Sequence, residues 1–223
     1  MTKIDIPHAD PRQHDVSHFD KAELTPELAG NNPFHLFALW YHEATASEPS
    51  DANAMSLATL DANGMPNVRI VLLKDFSESG FTFFTNYNSQ KGHEIAENPH
   101  AALCFHWKSQ LRQIRIKGIA SKVSETESDI YFASRDINSQ IGAYVSKQSS
   151  VLSGREELLS DLQRYQQEFS GKTHIQRPNY WGGYCLAPLE IEFWQNGAFR
   201  LHDRLVFFRH HTNEAWQTKK LYP

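Results

Sequence analysis

Residues 192–204 read Glu192-Phe193-Trp194-Gln195-Asn196-Gly197-Ala198-Phe199-Arg200-Leu201-His202-Asp203-Arg204, two runs of β-forming residues on either side of Asn-Gly. That dipeptide suits the two positive φ angles of a type I′ turn, so the stretch reads as a β-hairpin. Alternation in the second strand puts Phe199, Leu201, Leu205 and Phe207 on one face and Arg200, His202 and Arg204 on the other. Cations spaced roughly 7 Å apart along a strand repel one another unless an anion lies among them or water screens them. Such a face either meets a negatively charged partner or is the solvated side of an antiparallel strand.

Working outward, hairpin signals recur along the chain. Strands at 55–60 and 68–76 flank Asp61-Ala62-Asn63-Gly64, and Ser77-Glu78-Ser79-Gly80 leads into a third at 81–86, which together predict a meander. Further strands are expected at 101–107, 111–123, 184–186 and 189–194. Asn32-Pro33 opens an amphipathic helix to about Ala46, with Phe34, Leu36, Phe37, Trp40 and Ala44 facing the core. A short helix after Gly92 must stop near Asn98, because Pro99 disfavours helical geometry in the residue before it. Ser124-Glu125-Thr126-Glu127 and Ser153-Gly154-Arg155-Glu156 read as capping boxes. The first starts a helix to about Arg135. The second starts one ending at Gly171, with Leu158, Leu159, Leu162, Tyr165 and Phe169 as its buried stripe. Residues 1–31 read as a mobile arm and 32–223 as a single domain. The class is mainly β with helices, an antiparallel barrel with helices packed outside it. No Gly-x-Gly-x-x-Gly follows a strand, so a nucleotide would not be held in the doubly wound manner.

The 223 residues are 40% hydrophobic and 12% aromatic, enough for a packed core. A net charge of −4 gives no general attraction to nucleic acid or anionic membrane, so any anion site must come from local clusters of cations. The two cysteines, Cys104 and Cys185, make no disulfide framework and lack zinc spacing. Without the apolar core of a signal peptide or an apolar run of about 18 residues, the chain reads as soluble and cytoplasmic. Twelve histidines raise a metal site, but His42-Glu43 lacks the second histidine of His-Glu-x-x-His and His210-His211 would face opposite ways, so none is expected.

Several groups of residues suit oxyanions. Arg69-Ile70-Val71-Leu72-Leu73-Lys74 is an apolar strand bracketed by cations, which alternation puts on opposite faces unless the strand bulges or serves two anions. Ser89, Lys91 and the amides opening the next helix offer an anion cradle. Tyr131 and Arg135 share a helix face, with Ser139 just past its end; a phenol, a guanidinium and a hydroxyl suit a phosphomonoester. The stretch 141–150 reads as a polar loop with Lys147, Gln148 and Ser149. Gln113, within a strand, can hydrogen bond a planar heterocycle.

With those residues in place, the sequence resembles the pyridoxamine/pyridoxine 5′-phosphate oxidases from about Asn32 to Pro223. Four blocks carry the resemblance: 69–74, Phe84-Thr85-Asn86 with 89–91, 139–150 and 192–204. It implies an FMN-binding split β-barrel working as a homodimer, with FMN sites at the subunit interface. Arg69, Ile70, Val71, Leu72, Leu73, Lys74, Phe84, Thr85, Lys91, Gln113, Gln148, Ser149, Trp194 and Arg204 would then contact FMN. Lys74, Tyr131, Arg135 and Ser139 would hold the substrate phosphate. Arg200, Leu201 and His202 would lie over the pyridine ring, with Asp51 near the site. The implied reaction oxidises pyridoxamine or pyridoxine phosphate to pyridoxal phosphate, with O2 as acceptor, releasing H2O2 and, from the amine, ammonia.

The sequence departs from the family pattern in three places. Val16-Ser17-His18-Phe19-Asp20 lacks the family's Arg-x-x-Tyr pair, Gln90 stands where arginine is frequent, and Lys220 replaces a frequent arginine. Two other readings compete: a split-barrel flavin oxidase for another substrate, as in phenazine-pathway relatives, and a flavin-binding or pyridoxal phosphate-binding protein without turnover. Phosphate-binding residues at 74, 131, 135 and 139 argue against the former; the latter predicts binding without bleaching of the flavin.

Overall fold

The structure, a computed structural model, describes residues 23–223. The expected Val16–Asp20 departure and most of the expected arm therefore lie outside the described residues. Within the remainder of that arm, Thr25 caps a short helix, α1 (Pro26–Ala29), and Leu24 and Ala29 are buried. The chain forms two compact units with interleaved segments. Unit 1 takes the residues up to Ala52 with Cys104–Ile116 and Leu189–Pro223; unit 2 takes Asn53–Leu103 and Lys117–Pro188. The stretch read as one domain is thus shared between them.

In unit 2, β1 (Ala54–Leu60) pairs antiparallel with β2 (Pro66–Leu72), in register from Ala54 opposite Leu72 to Leu60 opposite Pro66. Asp61 builds the turn: its Oδ1 accepts from the amides of Asn63 and Met65, both at 2.8 Å, and Gly64 supplies the left-handed φ of 78°. After β3 (Asp75–Ser77), β4 (Gly80–Asn86) runs against β7 (Trp181–Gln195), pairing Phe81 with Leu186 and Asn86 with Trp181. Ser89 caps α3 (Gln90–Glu97). The predicted capping box forms at α4 (Glu125–Ser134), where Ser124 and Glu127 satisfy each other's backbone amides. Next come α5 (Ile137–Val145), capped by Asp136, and α6 (Arg155–Glu168). Phe132, Ile141, Val145, Phe169, Ile175 and Trp181 form a buried cluster.

In unit 1, Asn32 accepts from the Phe34 amide at 2.9 Å and opens α2 (Pro33–Ser47) as predicted. Phe37 packs edge-on against Phe105 and Trp40 against Phe193, with ring centroids 5.4 and 5.3 Å apart. Phe105 lies on β5 (His100–Trp107). Arg112, first on β6 (Arg112–Lys122), is buried over Trp40, with its guanidinium paired to Glu43. β8 (Asp203–Phe208) pairs with β7, and β9 (Gln217–Lys220) with β8. The sheet order is β2-β1-β5-β6-β7-β4-β3, with β8 and β9 off β7.

Five expectations need correction. The meander does not form: β2 and β3 end up at opposite edges, because the chain leaves β2 at Leu72 and Lys74 donates its amide to Thr82 on β4. The strands expected at 184–186 and 189–194 are one strand, β7, running through Pro188. Part of the expected 141–150 loop is helix, since Asp136 caps α5 and carries it to Val145. No capping box forms at Ser153, since α6 starts after Gly154 without a side-chain cap; of the expected stripe Leu158 and Leu159 are exposed, while Leu162 and Tyr165 are half-buried against the cluster and Phe169, just past the helix, is buried in it. The opening hairpin does exist, but not through a two-residue turn. Gln195 pairs with Asp203, leaving seven residues between them, and Gly197 has φ −128° while Phe199 and Arg200 take φ of 51° and 64°. A Cβ at Gly197 would sit 1.9 Å from the Leu201 carbonyl oxygen, so the chain folds back onto the glycine. The supposed alternating face is therefore loop: Phe199 and Leu201 are 73% and 69% exposed, and only Leu205 and Phe207 reach the core.

Candidate active site

Unit 2 contains a cavity of about 820 Å³, within the range of roughly 300–1,000 Å³ usual for small-molecule sites. One of its walls is β2, whose strand breaks just before Lys74. The break answers the alternation problem, since Arg69 and Lys74 both line this one cavity although five residues apart.

At the α3 end, Lys91 donates to Gln148 Oε1 at 2.8 Å and to the hydroxyls of Thr85 and Ser89 at 3.3 Å each. Burial, then repulsion from Arg69, pulls the Lys91 ammonium below its ordinary pKa, while Glu94 opposes the fall. α3 fits closely over the preceding turn: a Cβ at Gly92 would come 2.1 Å from the Tyr87 carbonyl oxygen. Arg69 donates to Leu57 O at 3.2 Å, to Thr59 and to Glu94 at 3.1 Å.

The α4 side is aromatic. Phe84 stacks on Tyr131 with centroids 3.9 Å apart and on Trp181 at 5.6 Å, in planes 19° and 14° from parallel. Gly183 makes room for it, because a Cβ there would meet the Phe84 ring at 2.8 Å. Arg135, at the C-cap of α4, lies 4.6 Å over the Trp181 ring, and burial holds its guanidinium below its ordinary pKa. Its Nη1 is the one buried side-chain nitrogen or oxygen among the described residues without a hydrogen-bond partner. Ser139, on the first turn of α5, lines the same space with Tyr131 and Arg135.

The cavity thus gathers Arg69, Ile70, Val71, Leu72, Lys74, Phe84, Thr85, Lys91, Tyr131, Arg135, Ser139 and Gln148. Leu73 is buried outside its lining, and Ser149 sits beyond Gln148 with a φ of 71°. Asp51, Gln113, Trp194, Arg200, Leu201, His202 and Arg204 belong to unit 1. There, Arg204 donates to the buried Glu192 at 2.8 Å, His202 lies 4.5 Å from the Trp194 ring, and its Nδ1 accepts from the Gly197 amide at 3.2 Å. Burial, then the Arg200 charge, lowers the His202 pKa.

Residues 41–168 match the model of the pyridoxamine 5′-phosphate oxidase family, and residues 181–223 match the pyridoxine 5′-phosphate oxidase C-terminal dimerisation region. The chain belongs to the pyridoxamine 5′-phosphate oxidase family. It is 49% identical to the pyridoxine/pyridoxamine 5′-phosphate oxidase of Hyphomonas neptunium over the full length of both chains. With the enzyme of the same name from Bartonella quintana it shares 54% identity over 86% of this chain and 92% of the relative. Among solved structures, PhzG from Burkholderia lata in complex with tetrahydrophenazine-1-carboxylic acid is 29% identical, with a TM-score of 0.82 over 90% of this chain and 98% of that one. A pyridoxamine 5′-phosphate oxidase-related, FMN-binding protein from Nostoc punctiforme shares the fold at a TM-score of 0.68 and 18% identity, over 85% and 96% of the two chains. The fold is therefore the FMN-binding split barrel of this enzyme family.

Sequence reasoning missed Glu94, which grips Arg69, and the lining residues Asn86, Asp136, Gly142, Ala143, Ser146 and Trp181. Trp181 carried a signal in Trp181-Gly182-Gly183, an aromatic followed by two residues that let other groups approach the strand. Among the described residues no helix is long and apolar enough to cross a membrane, and no cluster of three or more His, Cys, Asp or Glu side chains suits a metal ion.

Proposed function

We propose that the protein is a cytoplasmic, FMN-dependent oxidase that converts pyridoxamine 5′-phosphate or pyridoxine 5′-phosphate to pyridoxal 5′-phosphate, reducing O2 to H2O2. One observation carries this reading: two separate cationic groupings share one cavity, as two phosphorylated guests require. Arg69 and Lys91, with Thr85 and Gln148, form the grouping for the FMN phosphate. Lys74 with Tyr131, Arg135 and Ser139 forms the one for the substrate phosphate. The unpartnered, buried Nη1 of Arg135 supports an anion there, because a buried donor left unsatisfied costs about 1–3 kcal/mol.

When bound, FMN supplies the hydride acceptor for the substrate C4′ carbon and passes the electrons on to O2. The chain's own residues bind and orient. Lys74 and Arg135 fix the phosphate, and the apolar edge of β2 gives the flavin ring a wall. Arg200 is assigned to positioning the pyridine ring and His202 to orientation or proton handling there. Gln113, Ser149, Trp194 and Arg204 are assigned to the cofactor, with Asp51 near it. The enzyme is proposed to work as a homodimer, supported by the matched dimerisation region and by Val68 and Ile70 on β2, 66% and 64% exposed.

The likeness to PhzG favours a second reading, an oxidase for a substrate without phosphate. It leaves Lys74 and Arg135 without a counter-charge. The test is to purify the protein, record a flavin spectrum and add pyridoxamine phosphate without oxygen. Bleaching is expected; a bound flavin that stays oxidised would overturn the assignment, and bleaching by an unphosphorylated substrate alone would favour the second reading.

A further inference from the structure

Arg69 is held from behind by a buried carboxylate. Glu94 lies on α3 one turn beyond Lys91, and its side chain is 5% exposed and outside the cavity lining. Its Oε2 accepts from Arg69 Nη2 at 3.1 Å and from Thr59 Oγ1 at 2.5 Å, while Oε1 accepts from Asn67 Nδ2 at 2.5 Å. Arg69 Nη1 is in turn bound to Thr59 and to Leu57 O. The guanidinium, carried on β2, is thus clamped by β1 and α3 together. These contacts use three of the five donors an arginine has, leaving its Nε–H and one Nη2–H, and Arg69 lines the cavity. Burial pushes the Glu94 carboxyl up, but hydrogen bonds from Thr59 and Asn67 and the Arg69 charge outweigh it and hold the group below its ordinary value.

We infer that Glu94 is a positioning residue for recognition of the cofactor phosphate: by clamping Arg69 it presets the guanidinium that distinguishes a phosphorylated flavin from an unphosphorylated one. This rests on the FMN assignment above. Two effects compete when Glu94 is removed. Loss of a negative charge beside Arg69 and Lys91 would by itself tighten phosphate binding. Release of the arginine to its many rotamers would weaken it, and the five hydrogen bonds around one carboxylate and one guanidinium make this the larger effect. The Glu94→Gln variant separates them, since it loses the charge but keeps a side-chain acceptor, with the Asn67 amide free to turn.

Full-length protein and its E94A and E94Q variants, stripped of flavin, are titrated with FMN and with riboflavin by flavin fluorescence. For E94A, FMN binding should weaken by about tenfold or more, equivalent to about 1.4 kcal/mol, while riboflavin changes less than about threefold. For E94Q both ligands should stay within about threefold of the parent. Unchanged or tighter FMN binding in E94A would overturn the inference, as would equal weakening of both flavins, the mark of a merely structural role. If the parent binds neither flavin, the cofactor assignment falls first and this inference with it.

Discussion

His202 shows how one backbone contact settles the chemistry of a side chain. With Nδ1 accepting from the Gly197 amide, the neutral ring carries its proton on Nε2, and protonating Nδ1 would break that contact. Burial and then Arg200 lower its pKa from the ordinary 6.5. A group whose folded pKa is depressed stabilises the fold above its unfolded pKa and loses that contribution as pH falls through the folded value. The loop should therefore loosen below pH 6.5, not above it. An NMR titration of the His202 ring should place its midpoint under 6.5, and Arg200→Ala should move it upward without restoring it fully, since burial remains. A midpoint unaffected by that variant would remove the charge coupling. The same variant should slow flavin reduction by pyridoxamine phosphate far more than it weakens FMN binding, as a positioning role at the pyridine ring requires.

At the scale of elements, α3 is set against the Tyr87 turn so closely that only a hydrogen fits at residue 92. Gly92→Ala must push the helix or the turn aside, and overpacking of that kind costs about 1–3 kcal/mol. Urea unfolding should show that loss, and because Lys91 and Glu94 ride on the same helix, FMN should dissociate faster in the same variant. A fully stable Gly92→Ala protein would mean that the helix seat is looser than this geometry. Helix α3 was legible in the sequence because its stop is local, a proline after Asn98. α6 was half legible: its period of apolar residues predicted a helix and the covering of Leu162, Tyr165 and Phe169, but a period does not say how far along the helix the cover extends, and Leu158 and Leu159 remain exposed.

At the scale of the whole molecule, β2 is an edge strand whose alternate residues Val68 and Ile70 are apolar and exposed, an arrangement that a lone chain in water seldom keeps. A second copy of the chain is proposed to cover it. Ile70→Lys should shift sedimentation from dimer toward monomer and lower flavin retention in parallel, while a dimer of undiminished stability would place the interface elsewhere.

The sequence by itself determined the features set by neighbours along the chain: the α2 cap at Asn32, the capping box at Ser124, the hairpin of β1 and β2, though with Asp61 rather than Asn-Gly building its turn, and the paired cations of the 69–74 segment. It also carried the resemblance that named the candidate residues. Only the tertiary structure decided which hairpins adjoin, since seating β4 beside β7, with Phe81 opposite Leu186, depends on partners far along the chain. It alone replaced the Asn-Gly turn by a seven-residue loop, in which the Leu201 carbonyl packs against Gly197 and the His202 ring accepts the Gly197 amide. It alone brought Glu94 behind Arg69, 25 residues away, because a buried carboxylate is placed by the charges it must satisfy rather than by any local pattern.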